Sequence, residues 1–349
     1  MTPRIDYIEV YISHTCNLNC TSCINYNNYA FRGHQRWADY GDIYRQWSNV
    51  LDIKSLGLLG GEPMLNPDFL QWVDGLTDLW PNTELIILTN GTQISRWPAL
   101  YDRLLEKNCR MRISAHGKKI SETIHHALME FLEGDITITA EYTANEQQAW
   151  RDSYQKLADP SWPSCDTVEQ FDLLPAHIQD ECREHRISPE HWLDFAQTVW
   201  YTDCNGVRVQ WFKSDLFNYQ PAARFNDSTG MIELHNSDPV MAIQHCCGSL
   251  GHYLHQGRLY KCNQVAILPD FIDWAPNLDI EPWQRDLIKS YQPAQVSWSQ
   301  QDIMDFVRDL QTNTPIENCR LCPGHNINLN IEAGVKKIKF VKHARNQPL

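Results

Sequence analysis

Residues 7–23 read YIEVYISHTCNLNCTSC. Tyr7–Ser13 alternates apolar and polar side chains, the pattern of a half-buried strand. Directly after it come Cys16, Cys20 and Cys23, a C-x3-C-x2-C spacing. Iron–sulfur clusters take thiolate ligands, and closely spaced cysteines in one loop can wrap one. Three ligands leave one iron of a 4Fe–4S cluster open. A structural zinc wants four, and the next cysteine in the chain, Cys109, is far away in sequence.

Outward from that loop, strand and helix patterns alternate. Tyr40–Leu51 puts Ile43, Trp47, Val50 and Leu51 on one helical face. Ser55–Leu59 reads as a second strand. Asn66-Pro67 opens a helix, with Asn as N-cap and Pro in the first turn, and Phe69, Trp72, Val73, Leu76 and Trp80 form its apolar stripe. Leu85–Thr89 is a third strand, closed by Asn90-Gly91. A helix around Leu100–Leu105, a strand at Arg110–Ser114, a helix through Ile120–Phe131 and a fifth strand at Ile136–Tyr142 follow. This rhythm predicts right-handed βα units and a parallel sheet, either a closed or partial barrel or an open doubly wound sheet. No G-x-G-x-x-G or Walker A run supports a dinucleotide or P-loop site.

The rhythm changes at about 146–205, where Pro160, Pro163 and Pro175 interrupt two helical stretches near 166–186 and 189–200, an insertion or a cap. Val207–Phe212 reads as a sixth strand. Beyond about 220 the chain is rich in Gly, Asn, Pro and Cys, with one helix expected at Gln301–Gln311, so a second, loop-rich unit is expected there. The segment from Lys336 to Arg345 reads as a solvated basic tail.

Composition narrows the function. The 349 residues suit two domains, and 42% hydrophobic with 21% charged residues supports a sizeable core. A net charge of −13 with no long basic run disfavours nucleic acid. No stretch has the ~18 apolar residues of a membrane span, and the first residues have no secretory apolar core, so a cytoplasmic setting is expected. Twelve cysteines in a reducing compartment point to metal or catalysis rather than disulfides. The 13 tryptophans read as core filling.

On these motifs the chain resembles the radical S-adenosylmethionine (SAM) enzymes. C-x3-C-x2-C after the first strand is their signature. Gly60-Gly61-Glu62-Pro63 after the second strand is similar to their Gly-Gly-Glu-Pro loop, which holds the SAM amino group. Thr89-Asn90-Gly91 and Ile113-Ser114-Ala115-His116-Gly117 resemble their later strand ends, with Ser114 matching the residue that reaches the SAM ribose or carboxylate. Asn145, after the fifth strand, falls where relatives place a polar loop. The residue before the third cysteine is usually aromatic and packs near the adenine; here it is Ser22, which leaves Tyr26 or Tyr29 as candidates for that contact.

A second constellation is C-terminal. Cys247 is followed by Gly257 and Cys262, and later by Cys319-Arg320-Leu321-Cys322. This resembles the auxiliary-cluster domain called SPASM, and, with four ligands and no cysteine after Cys322, its shorter twitch version. Cys246 is an alternative to Cys247. A four-cysteine zinc ribbon is the competing reading. The histidines His245, His252 and His255 around this segment are expected to make second-shell contacts at most.

The resemblance implies a partial (β/α)6 TIM-like barrel of the α/β class over 1–220, with the insertion at 146–205, and a twitch/SPASM-like auxiliary domain over 221–349. It implies two 4Fe–4S clusters, SAM, and a reducing donor such as flavodoxin or ferredoxin. The implied reaction is reductive cleavage of SAM to a 5′-deoxyadenosyl radical and hydrogen abstraction from a substrate carbon, ending in oxidation, epimerisation or cross-linking of a small polar metabolite or peptide. Cys204, Lys213 and Asp215 are candidate catalytic residues: the first as a thiol hydrogen donor, the others as a base or polar anchor. Cys165 and Cys182 read as structural thiols. Entry into the first strand at about residue 6 leaves no room for the leader-binding domain of peptide-modifying relatives, so a separate leader-binding protein is the peptide alternative. Molybdopterin-precursor synthesis is disfavoured, because those relatives end in Gly-Gly and this chain ends Asn-Gln-Pro-Leu. A non-catalytic iron–sulfur or zinc protein is the remaining alternative.

Overall fold

The computed structural model describes residues 2–20, 23–116, 199–204, 207–214, 216–219, 222–226, 228–244, 246, 251–312, 314–324 and 327–330, with scattered positions between 124 and 139. The N-terminal elements are β1 (Arg4–Tyr11), α1 (Trp37–Ser48), β2 (Asp52–Leu59), α2 (Phe69–Leu79), β3 (Glu84–Thr89), α3 (Leu100–Glu106) and β4 (Cys109–His116). Next come β5 (Ile138–Thr139), β6 (Val199–Cys204), β7 (Val207–Ser214), β8 (Leu216–Tyr219), β9 (Ala223–Asn226) and β10 (Met231–Leu234). The rest are α4 (Pro239–Gln244), β11 (His252–His255), β12 (Arg258–Tyr260), α5 (Asn263–Trp274), β13 (Leu278–Asp279), α6 (Pro282–Ser290), β14 (Ala294–Gln295), α7 (Gln300–Leu310) and β15 (Ile327–Asn330).

One mixed sheet of ten strands organises the molecule, in the order β14-β12-β11-β1-β2-β3-β4-β7-β6-β5. The six neighbours from β11 to β7 run parallel, and both margins are antiparallel. Register follows side-chain alternation. Ile8 pairs with Leu56 and Val10 with Leu58, and these four pack with Ile87, Met111 and Ile113 against Tyr44, Trp47, Trp72, Val73 and Leu76. Successive strand residues face opposite ways, so Tyr7, Glu9, Tyr11, Arg110, Arg112 and Ser114 sit on the other face. At the C-terminal ends of the strands, Tyr11 and Leu59 join a second apolar cluster with Tyr26, Tyr29, Phe31 and Phe271.

The first four expected strands are present. The expectation for Ile136–Tyr142 needs correction: its described part, Ile138–Thr139, lies at the sheet margin, antiparallel to β6. The place beside β4 belongs to β7. Only Asn205-Gly206 separates β6 from β7, and two residues force antiparallel neighbours; Asn-Gly is itself a strong hairpin signal. Asn66 is not the N-cap of α2. Its amide donates to the carbonyls of Ile12 and Gln35 at 2.8 and 2.9 Å, tying the strand end to the chain before α1, and the helix starts at Phe69.

The C-terminal half is less loop-rich than expected. Besides α7, close to its expected place, it forms α5 and α6. The main sheet also runs past residue 221, because β11, β12 and β14 continue it beside β1. The stretches near 166–186 and 189–198, and the tail from Lys336, lie outside the described residues. Among the described residues, no helix is long and apolar enough to cross a membrane.

Candidate functional site

Three strand ends meet at the cysteine loop. After β1 the chain passes Ser13, His14 and Thr15 into Cys16, Cys20 and Cys23. The loop after β2 is bonded straight to it: Gly61 N donates to Ser13 O at 2.6 Å, and Glu62 N donates to Thr15 O at 2.9 Å. The loop after β3 reaches it through Asn90, whose amide lies 3.0 Å from Asn17 Oδ1 and 3.7 Å from Cys16 Sγ.

Both glycines are needed, for a reason the sequence does not display. A Cβ on Gly60 would stand 2.6 Å from Ser13 O, and one on Gly61 would stand 2.7 Å from Thr15 O. Such contacts do not occur, so only glycine lets this loop lie against the cysteine loop. Close approach is therefore made to protein backbone.

Glu62 is fully buried. Its carboxylate accepts from Thr89 Oγ1 at 2.7 Å, Asn90 N at 2.7 Å and Met64 N at 3.1 Å. These donors are internal, so its visible work is to fasten the β2 loop to the β3 loop. Burial raises its pKa to about 7, against the pull of those donors. The folded state therefore keeps this proton to higher pH than the unfolded state, with its ordinary value near 4.5. Unfolding releases the proton, and stability falls as pH rises from about 4.5 to 7. We expect the wild type to lose up to about 3 kcal/mol relative to Glu62→Gln over that window and nothing further above it. Urea titrations of both apoproteins from pH 5 to 8 measure this, and a pH-independent difference would contradict it.

The three thiols interact with one another. Burial pushes Cys16 up to about 12, and Glu62 and Cys23 push the same way. Burial also raises Cys20, with help from Cys23 and Cys16, and raises Cys23. Half-buried thiols whose pKa values are raised in this way stay protonated on their own, and a bound metal is what deprotonates such a set. The donor set thus fits an iron–sulfur cluster.

Other expected site residues fall as follows. Pro63 is buried beside Glu62. Ser114 is half-buried near the end of β4, on the face opposite the core. Lys213 pairs in register with Ala115, at the same end of the sheet. Cys204 is a correction. It ends the antiparallel β6 and pairs with Val207, the first residue of β7. Seven residues of strand, about 23 Å, separate that level from Ser214. Preceding a parallel strand places a residue at the wrong end of the sheet. Tyr26 and Tyr29 are also corrected: both are buried, Tyr26 stacks on Phe271 with ring centroids 4.3 Å apart, and neither is open to an adenine. Asn145, Asp215, Cys247, Cys165 and Cys182 lie outside the described residues.

The C-terminal cysteines also converge. Burial pushes Cys262 up to about 12, with Cys246 and then Cys319 raising it further. Cys322 N donates to Cys319 O at 2.9 Å in one tight turn.

Comparison with known proteins bears on the first of these groups. Residues 10–128 match the Radical SAM superfamily model. This stretch is similar to a radical SAM domain. Such a domain implies SAM and a 4Fe–4S cluster, and Cys16, Cys20, Cys23, Gly60–Pro63, Asn90 and Ser114 lie within it. A GTP 3′,8-cyclase of Nautilia profundicola is 29% identical over 96 residues, 27% of this chain and 30% of that protein. One from Aliarcobacter butzleri is 25% identical over 95 residues, 27% of this chain and 29% of that protein. The chain thus spans less than a third of the length of these relatives. Among solved structures, Streptococcus suis SuiB bound to S-adenosylmethionine aligns with a TM-score of 0.37 and 12% identity, covering 87% of this chain and 64% of that one.

Proposed function

We propose that this chain is a radical SAM enzyme with a second iron–sulfur centre, acting on a carbon of a small polar metabolite or peptide. The observation that carries the reading is the junction of three strand ends at one half-buried cysteine triad, inside the stretch that matches the radical SAM model. In this reading Cys16, Cys20 and Cys23 hold a 4Fe–4S cluster, and Asn90, Ser114 and the Gly60–Pro63 loop form the SAM site. When bound, cluster and SAM supply a 5′-deoxyadenosyl radical that takes a hydrogen atom from the substrate.

The chain's own share is placement. Glu62 and Asn90 fix the β2 and β3 loops against the cysteine loop. Cys262, Cys319 and Cys322, with Cys247 or its neighbour Cys246, are the proposed ligands of the second centre. Oxidation, epimerisation and cross-linking are the outcomes considered. A cytoplasmic setting, a flavodoxin or ferredoxin donor, and the partial barrel with a C-terminal auxiliary domain belong to the same reading. The cyclase similarity supports a second reading, a nucleotide substrate.

The test is anaerobic reconstitution of the full chain with iron, sulfide and zinc counting, then a 5′-deoxyadenosine assay under reduction, with and without GTP. About eight irons per chain support two 4Fe–4S centres. About four irons with one zinc make the C-terminal group a zinc ribbon. GTP-dependent cleavage favours the nucleotide reading. A chain that binds no iron overturns the proposal.

A further inference from the structure

The cysteine loop is held at both ends by one helix. Ahead of Cys16, the His14 imidazole lies with Nε2 3.4 Å from Asp270 Oδ2 on α5 and Nδ1 3.3 Å from the Tyr11 hydroxyl. The His14 carbonyl accepts from the Asn27 amide, and Asn27 Oδ1 accepts from Cys23 Sγ at 3.4 Å. Beyond Cys23, the Ile24 carbonyl accepts from Asn263 Nδ2 at 3.3 Å and Gln264 Nε2 at 3.2 Å, in the first turn of α5. Gln264 is itself fixed, its Oε1 accepting from Ala222 N at 3.0 Å and from the Tyr26 hydroxyl. Gln264 and Asp270 are six residues apart, about 9 Å of helix.

His14, His255 and Asp270 also have the composition of a metal site, with their ligand atoms within 4.8 Å of one another. The hydrogen bonds assign them differently. Gln256 N donates to Gln35 Oε1 at 3.2 Å, which fixes the Gln35 amide. Gln35 Nε2 then donates to His255 Nδ1 at 2.8 Å. A neutral imidazole has one donor and one acceptor nitrogen, so His255 Nε2 carries the hydrogen and donates to Asp270 Oδ2 at 2.8 Å. Gln256 Nε2 donates to the same oxygen at 2.9 Å. His255 offers no lone pair to a metal; the array is a locked clamp.

We propose that Asp270 and Gln264 are positioning residues: α5 clamps the cysteine loop at His14 and at Ile24, and thereby sets how the triad faces the SAM site. This rests on the function proposed above. Neither residue touches the reacting atoms. Because α5 begins directly after Cys262, the same helix joins the two cysteine groups mechanically.

The test uses the reconstituted full chain with Asp270→Ala, Asp270→Asn and Gln264→Ala. Readouts are iron content, the paramagnetic resonance spectrum of the reduced protein with and without SAM, and the SAM Kd. We expect iron near the wild-type amount, a broadened spectrum with a diminished SAM-induced change, and SAM binding about tenfold weaker for each alanine variant, the effect of losing one charge-assisted or buried hydrogen bond. If Asp270→Ala does not fold, Asp270→Asn carries the test, with the same spectral change and about threefold weaker binding. Wild-type spectra and affinity in the folded variants overturn the clamp. So does zinc at one per chain that disappears in the Asp270 variants, which would make the array a metal site. Failure of the underlying reading shows elsewhere, as a wild type without iron or without any SAM-induced spectral change.

Discussion

Alanine at Cys16, Cys20 and Cys23 together is expected to abolish 5′-deoxyadenosine formation and to remove about four irons per chain, leaving about four at the C-terminal group. The loss is complete rather than graded because the triad provides every protein ligand proposed for that centre. Among the described residues, the other cysteines are Cys109, buried in the main core, Cys204 at the end of β6, and the C-terminal group. None of them appears among the groups acting on Cys16, Cys20 or Cys23. Iron and sulfide analysis with chromatographic detection of 5′-deoxyadenosine decides it. Undiminished cleavage in the triple variant would place the chemistry elsewhere.

The next largest effect belongs to Gly60. A methyl group there meets Ser13 O at 2.6 Å and Ser13 N at 3.0 Å, both backbone atoms of the segment leading into the triad. A flexible side chain could yield; this backbone can yield only by moving the cysteine loop. Gly60→Ala should therefore cost about 1–3 kcal/mol in stability. It should lower SAM cleavage by about 100-fold, the scale expected for misplacement near 1 Å. Gly230→Ala is the matched control: its φ is +70° but no atom lies within 4 Å, so only a modest stability loss and unchanged cleavage are expected. Equal activities for the two variants would show that the contact at Ser13 is dispensable.

Local pattern revealed much of the N-terminal half. β1 to β4 alternate or run apolar as strands do, and the C-x3-C-x2-C and Gly-Gly-Glu-Pro runs stand where strands end. What local pattern missed has identifiable causes. α5 is apolar on most of its surface, with Val265, Ala266, Ile267, Leu268, Phe271 and Ile272 buried and Pro269 inside it, so it shows no single stripe. Cys204 directly precedes β7 in the chain, and only strand direction, which is a property of the sheet, puts it at the end away from the cysteine loop. Tyr26 is polar enough to suit a pocket, yet its hydroxyl is satisfied by Gln264, 238 residues away. The roles of Gly60, Gly61 and Asp270 likewise depend on contacts between distant segments, which no window along the chain contains.

The pairing of β1 with β11 also orders events in time. Ile8 and His252 are neighbours in the sheet yet about 240 residues apart in the chain. At a ribosomal pace of roughly 5–20 residues per second, some 10–50 s separate their synthesis. During that interval β1 has an unpaired edge and the cysteine triad lacks α5. In the reading proposed above, the triad gains its complete seat only once α5 has been made. A nascent chain stalled before residue 252 would present β1 as an open template for aggregation.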